Sequence, residues 1–135
     1  MPFYSLALTV PVNTPATAPA TQDLHIYPGV ITQLAIQFPK GCAGLVHATL
    51  MRVGSQVWPA SPDSDLSTDG NIILAEEQYD ITDEPLRLTL SAYNLDDTYP
   101  HTITLWVTTV DADQVQAQRQ TASMLTKFLQ LVGLK

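Results

Sequence analysis

Residues 86–109 read LRLTLSAYNLDDTYPHTITLWVTT. Leu86, Leu88, Leu90 and Ala92 alternate with Arg87, Thr89, Ser91 and Tyr93. After a polar break, Ile103, Leu105 and Val107 alternate with Thr102, Thr104, Trp106 and Thr108. A period of two marks a strand buried on one face, because successive side chains point to opposite sides. Two such runs around a short break rich in turn residues predict a β-hairpin. In that hairpin the apolar residues share an inner face. Tyr93 and Trp106 share the outer face, among threonine and serine.

The pattern recurs along the chain. Residues 4–10 put Tyr4, Leu6, Leu8 and Val10 on one side and Ser5, Ala7 and Thr9 on the other. A short strand over 23–27 ends at the Pro28-Gly29 turn signal. Residues 30–38 set Leu34, Ile36 and Phe38 against Gln33 and Gln37. Residues 45–52 turn Val46, Ala48 and Leu50 inward and His47, Thr49 and Met51 outward. A turn at Gly54-Ser55 leads into a strand over 56–58. A polar loop over 59–70, a strand over 71–75 and an acidic edge or loop over 76–84 follow. Seven to eight short strands with turns between them predict an all-β fold, an antiparallel β-sandwich of jelly-roll-like or Greek-key type, with an up-and-down barrel as the alternative.

One segment breaks the rhythm. Residues 11–21, PVNTPATAPAT, carry three prolines and no charge. Proline lacks the N–H that a central strand needs. Extended at ~3.1 Å per residue, the segment reaches on the order of 34 Å. It either crosses one end of the sandwich or forms an arm that lets the first strand pair with a neighbouring subunit.

The tail changes period. Residues 111–134 are expected to be helical, with Asp111 or Asp113 capping the N-terminus and Gly133 as a stop. Ala122, Leu125, Phe128, Leu129 and Val132 form an apolar stripe at helical spacing, widened by Met124 and Leu131. The chain thus divides into a β domain over 1–110 and an amphipathic helix over 111–135. The stripe packs either on the chain's own sheet or on another molecule.

Composition narrows the function. The 135 residues are 45% hydrophobic and 14% charged, with net charge −7. The charged share is low against ~25% in ordinary soluble domains. A negative balance argues against nucleic acid, whose phosphates call for Lys and Arg, and against anionic membranes. No run of about 18 apolar residues is present, and the start lacks a basic leader, which points to synthesis in a cytoplasm without a signal peptide. One cysteine, Cys42, excludes an internal disulfide, and Cys/His zinc spacings are absent.

Candidate chemistry is sparse. Asp63, Asp65 and Asp69 resemble half of a calcium loop, but the sixth position from Asp63 is Thr68 rather than Gly, and the twelfth is Leu74 rather than Glu. Turn residues bonding their own backbone explain them better. His25, His47 and His101 fall on separate strands with no ligand spacing. Cys42 near Lys40 lacks a histidine motif beside it. No nucleophile-elbow, Walker or dinucleotide pattern occurs, so the chain reads as a non-enzyme without a cofactor or metal.

With its β-core, its Pro/Thr-rich segment at 11–21 and its amphipathic tail, the chain resembles the small β-sandwich decoration or minor structural proteins of tailed-virus capsids. The resemblance implies a non-enzymatic virion subunit, forming a homo-oligomer or contacting another structural protein such as a capsid protein. Tyr4, Leu6, Leu8, Tyr93, Trp106, Met124, Leu125, Phe128, Leu129 and Val132 are the candidate interface residues. Two alternatives stand beside it. One is a carbohydrate-binding module using Trp58, Tyr99 and the acidic loops. The other is a filament subunit whose residues 4–10 fill a neighbour's sheet.

Overall fold

The computed structural model describes residues 3–133, except the side chains of residue 112 and of residues 114–118. Eight strands and one helix follow in order: β1 (Phe3–Val10), β2 (Ala20–His25), β3 (Gly29–Gln37), β4 (Val46–Arg52), β5 (Ser55–Trp58), β6 (Ile72–Ile81), β7 (Arg87–Asn94), β8 (His101–Asp111) and α1 (Ala112–Leu131). Sheet A has the order β1-β8-β3-β6 and sheet B the order β2-β7-β4-β5. All pairings are antiparallel.

The pairing is nested. β1 pairs with β8, β2 with β7, β3 with β6 and β4 with β5. The chain therefore behaves as one long hairpin, rolled so that successive pairs fall in alternate sheets. That is the jelly roll. The inward residues of both sheets meet in a single core that includes Val10, Leu34, Ile36, Leu50, Leu88, Leu90, Ile103, Leu105 and Val107, all essentially out of water.

The predicted hairpin over 86–109 does not form. β7 lies in sheet B and β8 in sheet A. Their apolar faces do meet, but across the sandwich rather than side by side. Tyr93 and Trp106 consequently point away from each other, on opposite outer surfaces. Alternation states which side of a strand is buried; it does not name the strand's neighbour. The crossing between sheets is fixed by Asn94, which is 0% exposed. Its side-chain nitrogen donates to the Val10 and Tyr99 carbonyls at 3.2 and 3.1 Å, and its Oδ1 accepts the Asp96 N–H at 2.9 Å.

Other boundaries move for local reasons. The second strand begins at Ala20 rather than at residue 23. The acidic stretch 76–81 continues β6 and is not a loop. Its Glu76, Glu77 and Asp80 are exposed while Tyr79 and Ile81 turn toward the core, so the alternation lapses over 76–78 and resumes at Tyr79. β3 carries a bulge between Ile31 and Gln33, the extra residue being Thr32. Ile31 and Leu34 are three apart and would face opposite ways in a regular strand. The bulge restores phase, and both are fully buried. Segment 11–19 is a local connection. The Asn13 N–H donates to the Asp96 carbonyl and the Asn94 N–H to the Thr14 carbonyl, tying it to the β7–β8 loop.

α1 leaves sheet A directly from β8. Asp111 caps it, its side chain accepting the Asp113 N–H at 2.8 Å, and Gly133 closes it with φ +79°. Twenty residues at ~1.5 Å each make a rod of about 30 Å. No helix among the described residues is long and apolar enough to cross a membrane.

Two substitutions test this frame by urea unfolding. Leu105→Ala should lower stability by about 2–5 kcal/mol through cavity formation. Asn94→Ala should cost about 2–3 kcal/mol by orphaning buried carbonyls and an N–H. Thr104→Ala, on the outer face of β8, should stay within about 0.5 kcal/mol.

Candidate interaction surfaces

Four features of the strand body and its tail could carry function.

The first is α1. Arg119 to Gly133 are exposed except for Leu129, which is half-buried. Phe128 is 59% exposed, Met124 70% and Leu131 86%, and Leu125 and Val132 are similarly open. The stripe predicted from the sequence is therefore present but does not lie on the chain's own sheets. Where α1 meets the body, it contacts β3 and β8 near its origin. One ion pair, Arg119 to Asp80 at 3.5 Å, lies out in solvent and adds ~1 kcal/mol at most.

The second is the outer face of sheet A. Register places Ser5, Trp106, Ala35 and Leu74 in one cross-strand row, and Ala7, Thr104, Gln37 and Ile72 in the next. None of these eight is charged. Ile72 and Leu74 are more than half exposed, and Trp106 is half-buried. Aromatic and apolar groups among neutral polar ones, with few charges, are what protein interfaces favour at their centre. Glu76 begins an acidic margin along β6.

The third lies on the outer face of sheet B. His47 of β4 and Tyr93 of β7 are directly paired. Their rings stack at 4.7 Å with 9° between planes. Asp65, from the β5–β6 loop, joins both: His47 Nδ1 is 3.0 Å from its Oδ1, and the Tyr93 hydroxyl donates to its Oδ2 at 3.0 Å. Burial, then the bond to Asp65 and its charge, push the Tyr93 hydroxyl above its ordinary pKa, so it stays a donor at neutral pH. The loop is held there because Leu66 exchanges two backbone bonds with Ala48. A cavity of about 220 Å³ sits beside the trio.

The fourth is the end where the long loops gather. Asp69 Oδ1 accepts N–H groups from Gly41 at 2.8 Å and Ala43 at 3.2 Å, clamping the β3–β4 turn. Cys42, inside that turn, is fully buried and its thiol donates to the Thr68 carbonyl at 2.9 Å. His101 Nε2 lies 2.8 Å from Asp96 Oδ2, while Asp96 Oδ1 accepts from the N–H groups of Thr98 and Tyr99. The bonds from Ala43 and Gly41 hold the Asp69 carboxyl below its usual 3.8. The Thr98 N–H and then His101 do the same for Asp96.

The residues expected at an interface are thus scattered. Tyr4 and Leu6 pack against the chain's own core and Leu8 belongs to it. The Tyr4 hydroxyl also accepts the Tyr27 N–H at 3.0 Å. Trp106 is on sheet A, Tyr93 on sheet B, and Met124, Leu125, Phe128, Leu129 and Val132 are on α1. Trp58, expected on a sugar platform, is 7% exposed and part of the core, because β5 turns it inward opposite Leu50. Asp65 bridges His47 and Tyr93 while Asp69 clamps the β3–β4 turn, so Asp63, Asp65 and Asp69 do not gather round one point. Among the described residues no group of three His, Cys, Asp or Glu side chains is placed to hold a metal ion. The His47–Asp65–Tyr93 trio was not foreseen. Its members are 18, 28 and 46 residues apart, and the only clue was two outward rings flanked by small hydroxyl residues.

The chain matches no known family model and none of the curated proteins.

The two low-lying carboxyls set a pH dependence with a definite sign. Both are depressed in the folded state, so their contribution is complete above the unfolded value near 3.8 and is lost as pH falls through the lower folded values. Melting temperature followed from pH 7 to pH 2 should fall once pH drops below about 4. In Asp69→Asn/Asp96→Asn the melting temperature should be lower at pH 7, and the gap to the parent chain should close only as pH falls below about 4.

Proposed function

We propose that this chain is a non-enzymatic assembly subunit that works through protein–protein contacts, of the kind that decorates or completes a virion shell, with α1 as its principal contact. The observation that carries the reading is the uncovered stripe of Met124, Leu125, Phe128, Leu131 and Val132. A helix whose apolar side chains stand in water is a costly arrangement for a free monomer. At ~25 cal/mol per Å², covering several such side chains is worth a few kcal/mol, before ordering costs are subtracted.

The partner that fits is a second copy of the same chain. Residues 114–135 hold Arg119, Lys127 and Lys135 and no Asp or Glu, in a chain of net charge −7. The outer face of sheet A offers an apolar row from Trp106 to Ile72 and Leu74, margined by Glu76 of β6. Apolar stripe with cations meets apolar row with acids. Such a helix-to-sheet contact is heterologous, because the two surfaces differ, and it builds rings or open chains rather than closed two-fold dimers. The jelly roll is itself a fold found in capsid and lectin domains, which agrees with the reading without deciding it.

Light scattering tests it. The full chain should be oligomeric, and a chain ending at Asp111 should be a monomer that still folds. Phe128→Asp and Leu74→Asp should each break assembly, and mixing the two variants should restore a one-to-one pair, since each keeps one intact surface. A monomeric full-length chain would remove the proposal. Assembly that survives Leu74→Asp would move the contact off sheet A.

A further inference from the structure

We infer that the cavity on the outer face of sheet B is a binding site for a single neutral sugar residue. This inference is independent of the assembly reading, which uses α1 and sheet A.

Two loops and a sheet build the cavity. Thr49 and Ser91, paired across β4 and β7, lie next to the His47–Tyr93 row on the same outer face. One wall is the β5–β6 loop, with Pro62, Asp63, Ser64 and Asp65. The opposite wall is Ala16 and Pro19 of the β1–β2 connection. The first wall is shaped in advance. Three of its carbonyls, from Pro59, Ser61 and Ser64, converge on the Gln56 side-chain nitrogen at 2.8, 2.9 and 2.9 Å. A wall already ordered in this way avoids part of the cost that a mobile loop would add.

Its chemistry selects among ligand classes. No Lys or Arg lines the cavity and two carboxylates do, which disfavours phosphates, sulfates and carboxylates. The half-buried Thr49 and Ser91 hydroxyls are bonded to no protein group among the described residues, and neither is the Asp63 carboxylate. The lining therefore mixes hydroxyls that both donate and accept with groups that only accept. A sugar presents hydroxyls that do both. An organic ammonium only donates, and would leave the Thr49 and Ser91 protons unanswered. The flanking prolines and alanine give the C–H faces of a ring somewhere to lie. A volume of about 220 Å³ suits one small ring rather than a larger ligand. Drug-sized pockets run to ~300–1,000 Å³.

Calorimetric titration of the full chain with glucose, galactose, mannose, xylose and N-acetylglucosamine, beside methylammonium and inorganic phosphate, tests the assignment. At least one sugar should bind with Kd on the order of 1 mM, typical of a single ring held by a few hydrogen bonds. Asp63→Asn and Ser91→Ala should each weaken it about tenfold. Thr104→Ala, on the other sheet, should leave it unchanged. If either pocket variant melts well below the parent chain, Thr49→Val replaces it, with the same tenfold expectation. Absence of binding to all five sugars at about 100 mM would overturn the proposal. So would binding indifferent to the pocket substitutions, or methylammonium or phosphate binding more tightly than any sugar.

Discussion

The structure depends on one layer of side chains, the plane where the inward faces of β8 and β3 meet those of β7 and β4. Leu34, Ile36, Ile103, Leu105 and Val107 come from one side and Ala48, Leu50, Leu88 and Leu90 from the other. Each strand turns an apolar face inward, and stacking two sheets ~10 Å apart dries all of those faces at once. The nested pairing of first-half strands with second-half strands follows from rolling one antiparallel ribbon around that layer. Thr32 is the local adjustment it demands. The bulge exists because Ile31 and Leu34 must both enter the layer although their spacing forbids it in a regular strand.

This constraint explains what could be read from the sequence and what could not. Strand existence, inward residues and the final helix were legible, because period and capping are local. Val46, Ala48 and Leu50 face inward as their alternation says, and Asp111 and Gly133 bound α1 as their chemistry says. Sheet membership was not legible. Leu86–Ala92 and Ile103–Val107 look like hairpin partners because each alternates, yet a strand's two faces carry no record of its neighbours. The information that separates β7 from β8 lies in Asn94, whose three hydrogen bonds reach β1 and the crossing loop. A buried asparagine cannot be told from an exposed turn asparagine by sequence alone. Trp58 was misread for a related reason, since a four-residue strand gives too few alternations to assign a face.

The outer surfaces are where the sequence has freedom, and the two sheets use it differently. Sheet A is plain: threonine, glutamine, alanine and serine, with Trp106, Leu74 and Ile72 and an acidic margin. Sheet B is organised. His47 and Tyr93 stack, Asp65 bridges them, and Gln56 gathers the loop that delivers Asp65. Polar side chains tied by defined bonds specify a shape, whereas neutral small ones specify only a flat area. The first suits a small ligand with directional groups, and the second suits a broad apolar contact.

α1 has the opposite character to the body. The body is closed: its inward faces are satisfied by each other, and β1, including Leu6 and Leu8, is already paired with β8 along its full length. A chain whose first strand is seated in its own sheet gains little from lending that strand to a neighbour, since the same hydrogen bonds and the same burial would only be exchanged. α1 has no such satisfaction. Its first turn is anchored by Asp111, its far half is bathed in solvent, and its charge is opposite in sign to that of the body. Contact through α1 adds buried surface, whereas contact through β1 would trade it. That difference makes the C-terminal helix, rather than the N-terminal strand, the part of this molecule with most to gain from a partner.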